Sequence, residues 1–403
     1  MRFLAHILRQ PLGLLSSALG LLFLAGCTSV PRRTQVESGG TLLPARLVSN
    51  FFVVESRWDD GKTYRFLIDT GSTISYVTPE LARHFGVKPK KGPAPAKVPV
   101  RSANGGQIEL DPVTLRRVML GGTSFQNVAA VVFDFTDLSD HLAARGLHID
   151  GIIGFPVFRE VLLTLDYPGA RLGLAPAVPG APAPKAALRT ATLAFNNEQH
   201  TPLIPVQLGT ESFIVLVDSG SDGSLSLNPA GLHPRFAAGP RAGTLISSLS
   251  GDRPQLTGRL GQTLLIGPHV VTQPVVDLTD QLSSIGGELL RHFKVTFDQS
   301  RNEVTLVRES DGPVTMAPRR HPGLSFARSP IYWRVLGVIP DTPAARLPVQ
   351  AGDLCVRING EMVDKWTFDR YAALIKSAAK ITYTFLHGTK EEDVEVPVFE
   401  LVP

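Results

Sequence analysis

Two copies of one short pattern constrain the fold of this chain more than any other feature of its 403 residues. Residues 66–72 read Phe-Leu-Ile-Asp-Thr-Gly-Ser, and residues 215–221 read Val-Leu-Val-Asp-Ser-Gly-Ser. An apolar run of this kind predicts a buried strand, and a carboxylate at its end is costly unless it is hydrogen-bonded, paired or functional. The glycine two residues later permits a tight turn. Either copy alone is read more simply as a turn, but two copies together are not expected by chance.

The surroundings of the two patterns also repeat, which indicates an internal duplication. Each copy follows an apolar segment and a turn, so each Asp is predicted on the returning strand of a hairpin. The upstream segments are residues 47–58 and 201–208. Each copy is followed by a glycine-bearing apolar segment and a closing strand-and-turn segment, at residues 150–154 and 162–174 in the first unit and 284–287 and 294–307 in the second.

These residues resemble the retropepsin-like and pepsin-like aspartic proteases. In that family Asp-Thr/Ser-Gly is followed, tens of residues later, by two apolar residues and a glycine. Residues 150–154 are similar to the corresponding stretch of bacterial and retroelement members, whereas at 285–287 a glycine replaces the usual second apolar residue. The resemblance covers roughly residues 47–307. It implies a mainly β protein, with two retropepsin-like β-barrel lobes that form a pseudo-dimer within one chain.

The resemblance implies that Asp69 and Asp218, one from each lobe, form a catalytic pair. In this chemistry an ionised carboxylate takes a proton from water, while a protonated carboxyl hydrogen-bonds the scissile carbonyl and later protonates the leaving amine. Two close carboxylates cannot easily both be ionised, so they share a proton and titrate as a pair. Either Asp can be the base, and the sequence does not assign the proton. No metal or organic cofactor is implied.

The resemblance also gives supporting roles to the residues that follow the two Asp residues, which are Thr70, Gly71, Ser72, Ser219, Gly220 and Ser221. Thr70 and Ser219 would brace the crossing loops. Ser72 and Ser221 would hydrogen-bond the outer carboxylate oxygens. Polar, glycine-bearing hairpins near residues 102–106 and 248–252 would form flaps, and neither carries a tyrosine.

The N-terminus has the layout of a signal peptide. Arg2 and Arg9 precede an apolar stretch at residues 11–24, which is short for a transmembrane helix. Residues 24–27 read Leu-Ala-Gly-Cys and resemble a bacterial lipobox. This implies a lipoprotein signal peptide over residues 1–26, lipidation of Cys27 as a membrane anchor, and a polar tether over 27–46. Thr28 is not an Asp-type inner-membrane retention signal, so an exported lipoprotein of the outer membrane or periplasm is favoured.

The last part of the chain, residues 322–403, resembles a PDZ domain, which is a small α+β fold. Residues 338–345 and 351–360 are close to the bacterial PDZ pattern. The residues similar to the carboxylate-binding loop are Gly323, Leu324, Ser325 and Phe326. Such domains bind extended peptides by adding them to a sheet as a strand, which implies binding of peptide tails. A domain that only packs on the protease lobes is the alternative.

Pro-rich stretches predict the joints between these units. The predicted order after the tether is lobe 1 at residues 47–176, a linker at 177–190, lobe 2 at 191–308 and a linker at 309–321, followed by the PDZ domain.

Composition agrees with an exported globular protein that has no nucleic-acid partner. The formal charge is +4, and it falls to +2 if Arg2 and Arg9 leave with the signal peptide. The ten histidines have no metal-ligand spacing. Only two cysteines occur, so lipidation of Cys27 leaves Cys355 without an intrachain disulfide partner, and Cys355 is predicted as a small core residue.

Three functions remain open from the sequence. The expected one is an aspartic endopeptidase of the bacterial cell envelope, acting on polypeptides as a monomer. The second is a catalytically inactive peptide-binding or scaffold lipoprotein. In the third, the second lobe is degenerate and the first lobes of two chains pair, so that Asp69 is essential and Asp218 is not.

Overall fold

The computed structural model describes residues 33–88, 95–101, 106–135, 148–177, 189–248 and 251–403. The predicted signal peptide, Cys27, the tips of both predicted flaps and most of the first predicted linker lie outside the described residues. Over the part described, the protein is mainly β, as the sequence predicts. No helix within that part is long and apolar enough to cross a membrane.

The first lobe is built around the strand that carries Asp69. Its strands are β1 (Thr34–Gln35), β2 (Thr41–Val48), β3 (Phe51–Arg57), β4 (Thr63–Asp69), β5 (Ser75–Val77), β6 (Val98–Arg101), β7 (Gln107–Leu120), β8 (Thr123–Val132), β9 (Gly151–Gly154), β10 (Val161–Asp166) and β11 (Arg171–Pro176). Helix α1 (Pro79–Phe85) begins after Thr78, whose hydroxyl accepts a hydrogen bond from the amide of Leu81. Strand β9 lies between β4, to which it is parallel, and β5, to which it is antiparallel.

The second lobe repeats this arrangement around Asp218. Its strands are β12 (Thr190–Ala194), β13 (Leu203–Leu208), β14 (Glu211–Val217), β15 (Leu225–Leu227), β16 (Phe236–Ser248), β17 (Gly251–Leu260), β18 (Leu264–Ile266), β19 (His269–Thr272), β20 (Val275–Leu278), β21 (Ser284–Ile285), β22 (Lys294–Asp298) and β23 (Glu303–Val307). Strand β21 is parallel to β14 and antiparallel to β15, as β9 is to β4 and β5. A short helix, α2 (Gly287–Leu290), follows β21.

The two lobes share a sheet with the strand order β12-β23-β22-β10-β11-β2. Its central pair, β10 and β22, is antiparallel, and the hydroxyls of Thr164 and Thr296 lie 3.0 Å apart at the middle of the pairing. Strand β2 begins at Thr41 and pairs with β11, so residues 41–46 lie in this sheet and not in the predicted tether. The difference arises because residues 41–44 pair with β11, which lies more than a hundred residues downstream, where local sequence gives no signal.

Most of the buried apolar side chains of the two lobes form one continuous core, and a second buried cluster belongs to the first lobe alone. Phe155 is fully buried at the junction, with ring centroids 5.4 Å from Phe297 and 5.9 Å from Phe195 of the second lobe. The side chain of Gln299 donates a hydrogen bond to the Phe155 carbonyl at 2.7 Å. Truncating a buried Phe typically lowers the free energy of unfolding by about 3–5 kcal/mol, so the contacts of Phe155 stabilise the junction of the lobes as core contacts do.

The C-terminal region contains strands β24 (Val314–Thr315), β25 (Arg319–His321), β26 (Leu324–Arg328), β27 (Trp333–Val338), β28 (Leu354–Ile358), β29 (Glu361–Met362), β30 (Lys380–His387), β31 (Lys390–Pro397) and β32 (Phe399–Val402). A sheet of order β26-β27-β28-β30-β31, with β29 beside β28, accompanies helix α3 (Phe368–Ser377). These elements share their own core, in which Cys355 is fully buried, as predicted. Strand β24 pairs with β19 of the second lobe and β25 pairs with β32, so paired structure begins at Val314, ahead of the predicted boundary at 322.

The C-terminal region also packs on the second lobe. Val275 of β20 shares a small apolar cluster with Met316, Leu401 and Val402. The guanidinium of Arg259, on β17, donates hydrogen bonds to the carbonyls of Met316, Ala317 and Pro403. These contacts join the hairpin of β16 and β17 to both ends of the C-terminal region.

Candidate active site

The two Asp residues lie at matching points of the two lobes. Asp69 is the last residue of β4, and Asp218 follows β14 directly. Each stands beside the glycine-bearing segment that the sequence places downstream. Asp69 is the parallel partner of Gly154, and the Asp218 amide donates a hydrogen bond to the carbonyl of Ile285 at 2.9 Å. The duplicated pattern therefore brings two carboxyl groups from opposite lobes to one place.

The loops that follow the two Asp residues cross each other closely. A methyl group added to Gly71 would lie 2.4 Å from Asp218 Oδ1, and one added to Gly220 would lie 2.3 Å from Asp69 Oδ1. Only glycine fits at these positions, because each loop packs its glycine against the carboxylate of the other. The carboxyl groups of Asp69 and Asp218 therefore lie at one crossing point, close enough for each to act on the titration of the other.

Thr70 and Ser219 join the crossing loops by four hydrogen bonds. The amide of each residue donates to the hydroxyl oxygen of the other, at 3.0 Å in both directions. The Thr70 hydroxyl donates to the Val217 carbonyl at 2.6 Å, and the Ser219 hydroxyl donates to the Ile68 carbonyl at 2.7 Å. Both side chains are fully buried, so each unmade bond would leave a polar group unsatisfied at a cost of about 1–3 kcal/mol.

The carboxylates accept hydrogen bonds from backbone amides of their own loops. The amide of Gly71 donates to Asp69 Oδ1 and that of Gly220 to Asp218 Oδ1, each at 2.9 Å. The predicted role of Ser72 is wrong, because its hydroxyl donates at 2.7 Å to the carbonyl of Ile74, two residues further on. Short hydroxyl side chains bind nearby backbone readily, and this local bond uses the only proton of the hydroxyl.

Ser221 occupies the position of Ser72 in the second loop. Its hydroxyl accepts a hydrogen bond from the amide of Gly223 at 3.4 Å, two residues further along the chain. Each serine hydroxyl therefore bonds a backbone group of its own loop.

Burial dominates the electrostatics of the two carboxyl groups. Protein surrounds both groups, although each residue keeps part of its surface open to solvent. Burial and the charge of Asp218 hold the pKa of Asp69 well above its usual range, against the effect of the Gly71 and Ser72 amides. Burial raises the pKa of Asp218 to about 6, although the Gly220 amide lowers it in part. The pair therefore retains a proton at pH values where isolated aspartates are ionised.

Two tyrosines near the carboxylates were not found by the sequence analysis. Tyr76 is buried on β5, its hydroxyl contacts Ser72, and burial together with the Asp69 charge raises the pKa of Tyr76 to about 12. Tyr167 is buried against Phe52, and its hydroxyl has no hydrogen-bond partner among the residues described. Burial raises the pKa of Tyr167, and the charges of both aspartates add to this effect. No local pattern distinguishes these tyrosines from ordinary core residues.

The residues predicted for peptide binding lie far along the chain, in the C-terminal region. Gly323 has φ +83°, and its carbonyl accepts a hydrogen bond from the amide of Ile339. Leu324, Ser325 and Phe326 lie on β26, which pairs with β27 and ends the described sheet on that side. Within the described ranges, no cluster of three His, Cys, Asp or Glu side chains is arranged to hold a metal ion.

Comparison with known proteins covers one part of the chain. No curated protein matches the chain. Residues 54–157 match a family model described as aspartyl protease. The matched segment contains Asp69, the crossing loop of the first lobe and strand β9. Over residues 54–157 the chain is therefore similar to the aspartyl proteases.

Proposed function

We propose that the protein is an aspartic endopeptidase. It would hydrolyse a substrate peptide bond with a water molecule that the carboxyl groups of Asp69 and Asp218 activate between them. The observation that carries the proposal is the meeting of two carboxyls from opposite lobes at the crossing of the two loops, where each loop packs its glycine against the carboxylate of the other. The loop geometry supports a single-chain site, because Thr70 and Ser219 hold the two Asp residues from opposite lobes in one rigid frame.

The raised pKa values support the chemistry. With one proton on the pair, the ionised carboxylate takes a proton from a bound water, whose oxygen attacks the carbonyl carbon of the scissile peptide. The protonated carboxyl donates its hydrogen bond to the carbonyl oxygen, where negative charge develops. Collapse of the tetrahedral intermediate breaks the C–N bond, and the leaving nitrogen receives a proton from the pair. Because the pKa of Asp218 is about 6 and burial holds that of Asp69 well above its usual range, the pair carries one proton above about pH 6.

We further propose the cellular setting that the sequence favours. The chain would be exported, anchored in the envelope through a lipid on Cys27, and active as a monomer. The C-terminal region would be a PDZ domain that binds peptide tails beside β26. Its strand order, its helix α3 and the glycine turn at Gly323 support this assignment.

The test is cleavage of a peptide library by the soluble chain that begins after Cys27, read by mass spectrometry from about pH 3 to about pH 8. Asp69→Asn and Asp218→Asn are run beside the wild type, with Asp59→Asn as control, because Asp59 is an exposed carboxylate paired with Arg117. We expect both dyad variants to lose cleavage and the control to retain it.

The other outcomes distinguish the remaining functions. Activity that survives Asp218→Asn but not Asp69→Asn would indicate pairing of first lobes from two chains. Peptide binding without turnover by well-folded wild type would indicate a binding or scaffold protein.

A further inference from the structure

The two crossing loops are braced in different ways. In the first lobe, the amide of Phe155 donates to the carbonyl of Ser72 at 3.0 Å. In the second lobe, the amide of Gly287 donates to the carbonyl of Ser221 at 2.7 Å. The next residue in the first lobe is Pro156, which has no N–H to donate. The corresponding Glu288 donates its amide to the Gly223 carbonyl at 3.0 Å.

The apolar support of the first loop also has no counterpart in the second. Ile74 packs against a buried apolar cluster of the first lobe that includes Tyr76 and Ile152. Its counterpart in the second loop is Gly223, which has no side chain to pack. Polar contacts hold the second loop instead. Asn50 of the first lobe donates to the Asp222 carbonyl at 3.0 Å. The amides of Gly287 and Glu288 donate to loop carbonyls, and further contacts come from residues outside the protease lobes.

Arg319 of β25 supplies the first of these contacts. Its Nη2 lies 2.8 Å from Glu288 Oε2, so it holds the residue whose amide supports the loop carbonyl. Its Nη1 lies 3.8 Å from Asp277 Oδ2, and the other oxygen of Asp277 accepts a hydrogen bond from Thr257 on β17. One guanidinium thus links the loop support to the hairpin of β16 and β17.

Met316, which precedes β25 in the same segment, supplies a second contact. The Ser224 hydroxyl, at the end of the second loop, donates to Met316 Sδ at 2.9 Å. The counterpart in the first lobe, Ser75, instead accepts from the Gly154 amide within its own lobe at 3.1 Å. Only the second loop therefore depends on the segment that leads into the C-terminal region.

The charges around Arg319 make its loss costly. Asp277 is buried, and Glu288 and Asp222 act on the same guanidinium. Arg259 lies nearby, but its guanidinium donates to the carbonyls of Met316 and Ala317. Without Arg319, the carboxylates of Asp277 and Glu288 would lose the cation that balances them beside the loop.

We propose that Arg319 is a positioning residue for the candidate active site, through which the C-terminal region holds the Asp218 loop in place. The kinetic consequence rests on the proposed function, whereas the structural consequence does not. The C-terminal region then helps to position the half of the candidate site that carries Asp218, in addition to any peptide binding of its own.

The test compares Arg319→Gln with Arg320→Gln in the soluble chain that begins after Cys27. Arg320 is the matched control, because it lies on the same strand but donates to the carbonyls of Lys376 and Ala378 at the end of α3. Hydrogen exchange is read in peptides covering residues 218–225 and 286–291. In Arg319→Gln we expect exchange in both peptides to be about fivefold faster or more, with no change in Arg320→Gln.

Steady-state kinetics is the second readout. Arg319→Gln should lower kcat about tenfold or more and leave KM within about twofold, because misplacement of the carboxyl pair affects the reacting geometry more than substrate binding. Arg319→Lys keeps the charge but cannot reach both carboxylates, so an intermediate effect is expected. If Arg319→Gln does not fold, Arg319→Lys takes its place in both measurements.

Either of two results would overturn the proposal. One is a folded Arg319 variant in which both peptides exchange at the wild-type rate. The other is an acceleration of exchange in Arg320→Gln equal to that in Arg319→Gln. If the wild type cleaves nothing, the proposed function fails, but the exchange measurement still decides whether Arg319 holds the loop.

Discussion

The substitution Asp218→Asn should stabilise the protein at neutral pH while it abolishes cleavage. Asparagine has nearly the shape of aspartate, and its side-chain oxygen can still accept the Gly220 amide that now bonds Asp218 at 2.9 Å. The change therefore removes a buried charge and leaves the loop geometry intact. Most substitutions of buried residues destabilise, so a gain in stability is a distinctive result.

The magnitude follows from the pKa of Asp218, which burial raises from 3.8 in the unfolded chain to about 6 in the folded protein. A raised pKa means that the folded state binds the proton more tightly, so this stability is present below about pH 4 and lost as the pH rises past about 6. At about 1.4 kcal/mol for each pH unit, the wild type should lose about 3 kcal/mol over this window.

The assay is urea denaturation followed by circular dichroism at about pH 4, 6 and 8. We expect equal free energies of unfolding for variant and wild type at the lowest pH, and an advantage of about 3 kcal/mol for Asp218→Asn at the highest. Asp59→Asn controls for the loss of one negative charge at the surface. If Asp218→Asn is less stable than wild type at pH 8, or if its profile runs parallel to that of wild type, the carboxyl pair is not desolvated and the reasoning is refuted.

Two further predictions concern activity. The pH profile of kcat/KM should be bell-shaped, because activity falls below about pH 6 when the pair binds a second proton and falls again when it loses its last one. A profile in which kcat/KM falls only below the pKa of a free aspartate would contradict this prediction. Gly71→Ala should reduce kcat by about a hundredfold or more, because the added methyl would lie 2.4 Å from Asp218 Oδ1. Gly337→Ala is its control, since a methyl there meets no atom within 4 Å, and equal kcat for the two variants would contradict the crowding argument.

The sequence predicts the centre of the structure well because the relevant signals are local. An apolar run that ends at Asp69 fixes a buried strand and a turn, and the duplication places Asp218 in the same setting. The glycine-bearing segments at β9 and β21 were also recognised, and they lie parallel to the strands that carry the aspartates. Their pattern is detectable because backbone atoms approach closely there and side chains are excluded.

The remaining features depend on contacts that sequence spacing does not encode. The hydroxyl of Ser72 had two possible acceptors, and its own backbone at Ile74 is the one that it bonds. The first half of strand β2 resembles a polar tether in sequence, because its pairing partner β11 is distant in the chain. Arg319 lay in a segment predicted as a linker, where nothing marked it as a partner of Glu288 and Asp277.

The sheet shared by the two lobes limits how substrate can enter. Residues 162–166 of β10 pair with residues 294–298 of β22 at its centre, so the lobes cannot swing apart without breaking a continuous ladder of backbone hydrogen bonds. The spacing of the two lobes is thus fixed at this sheet, so a substrate must reach the two aspartates without separation of the lobes. We expect access to be controlled by bending of the hairpins β6–β7 and β16–β17, so that the entry rate depends on those hairpins and not on a hinge between lobes.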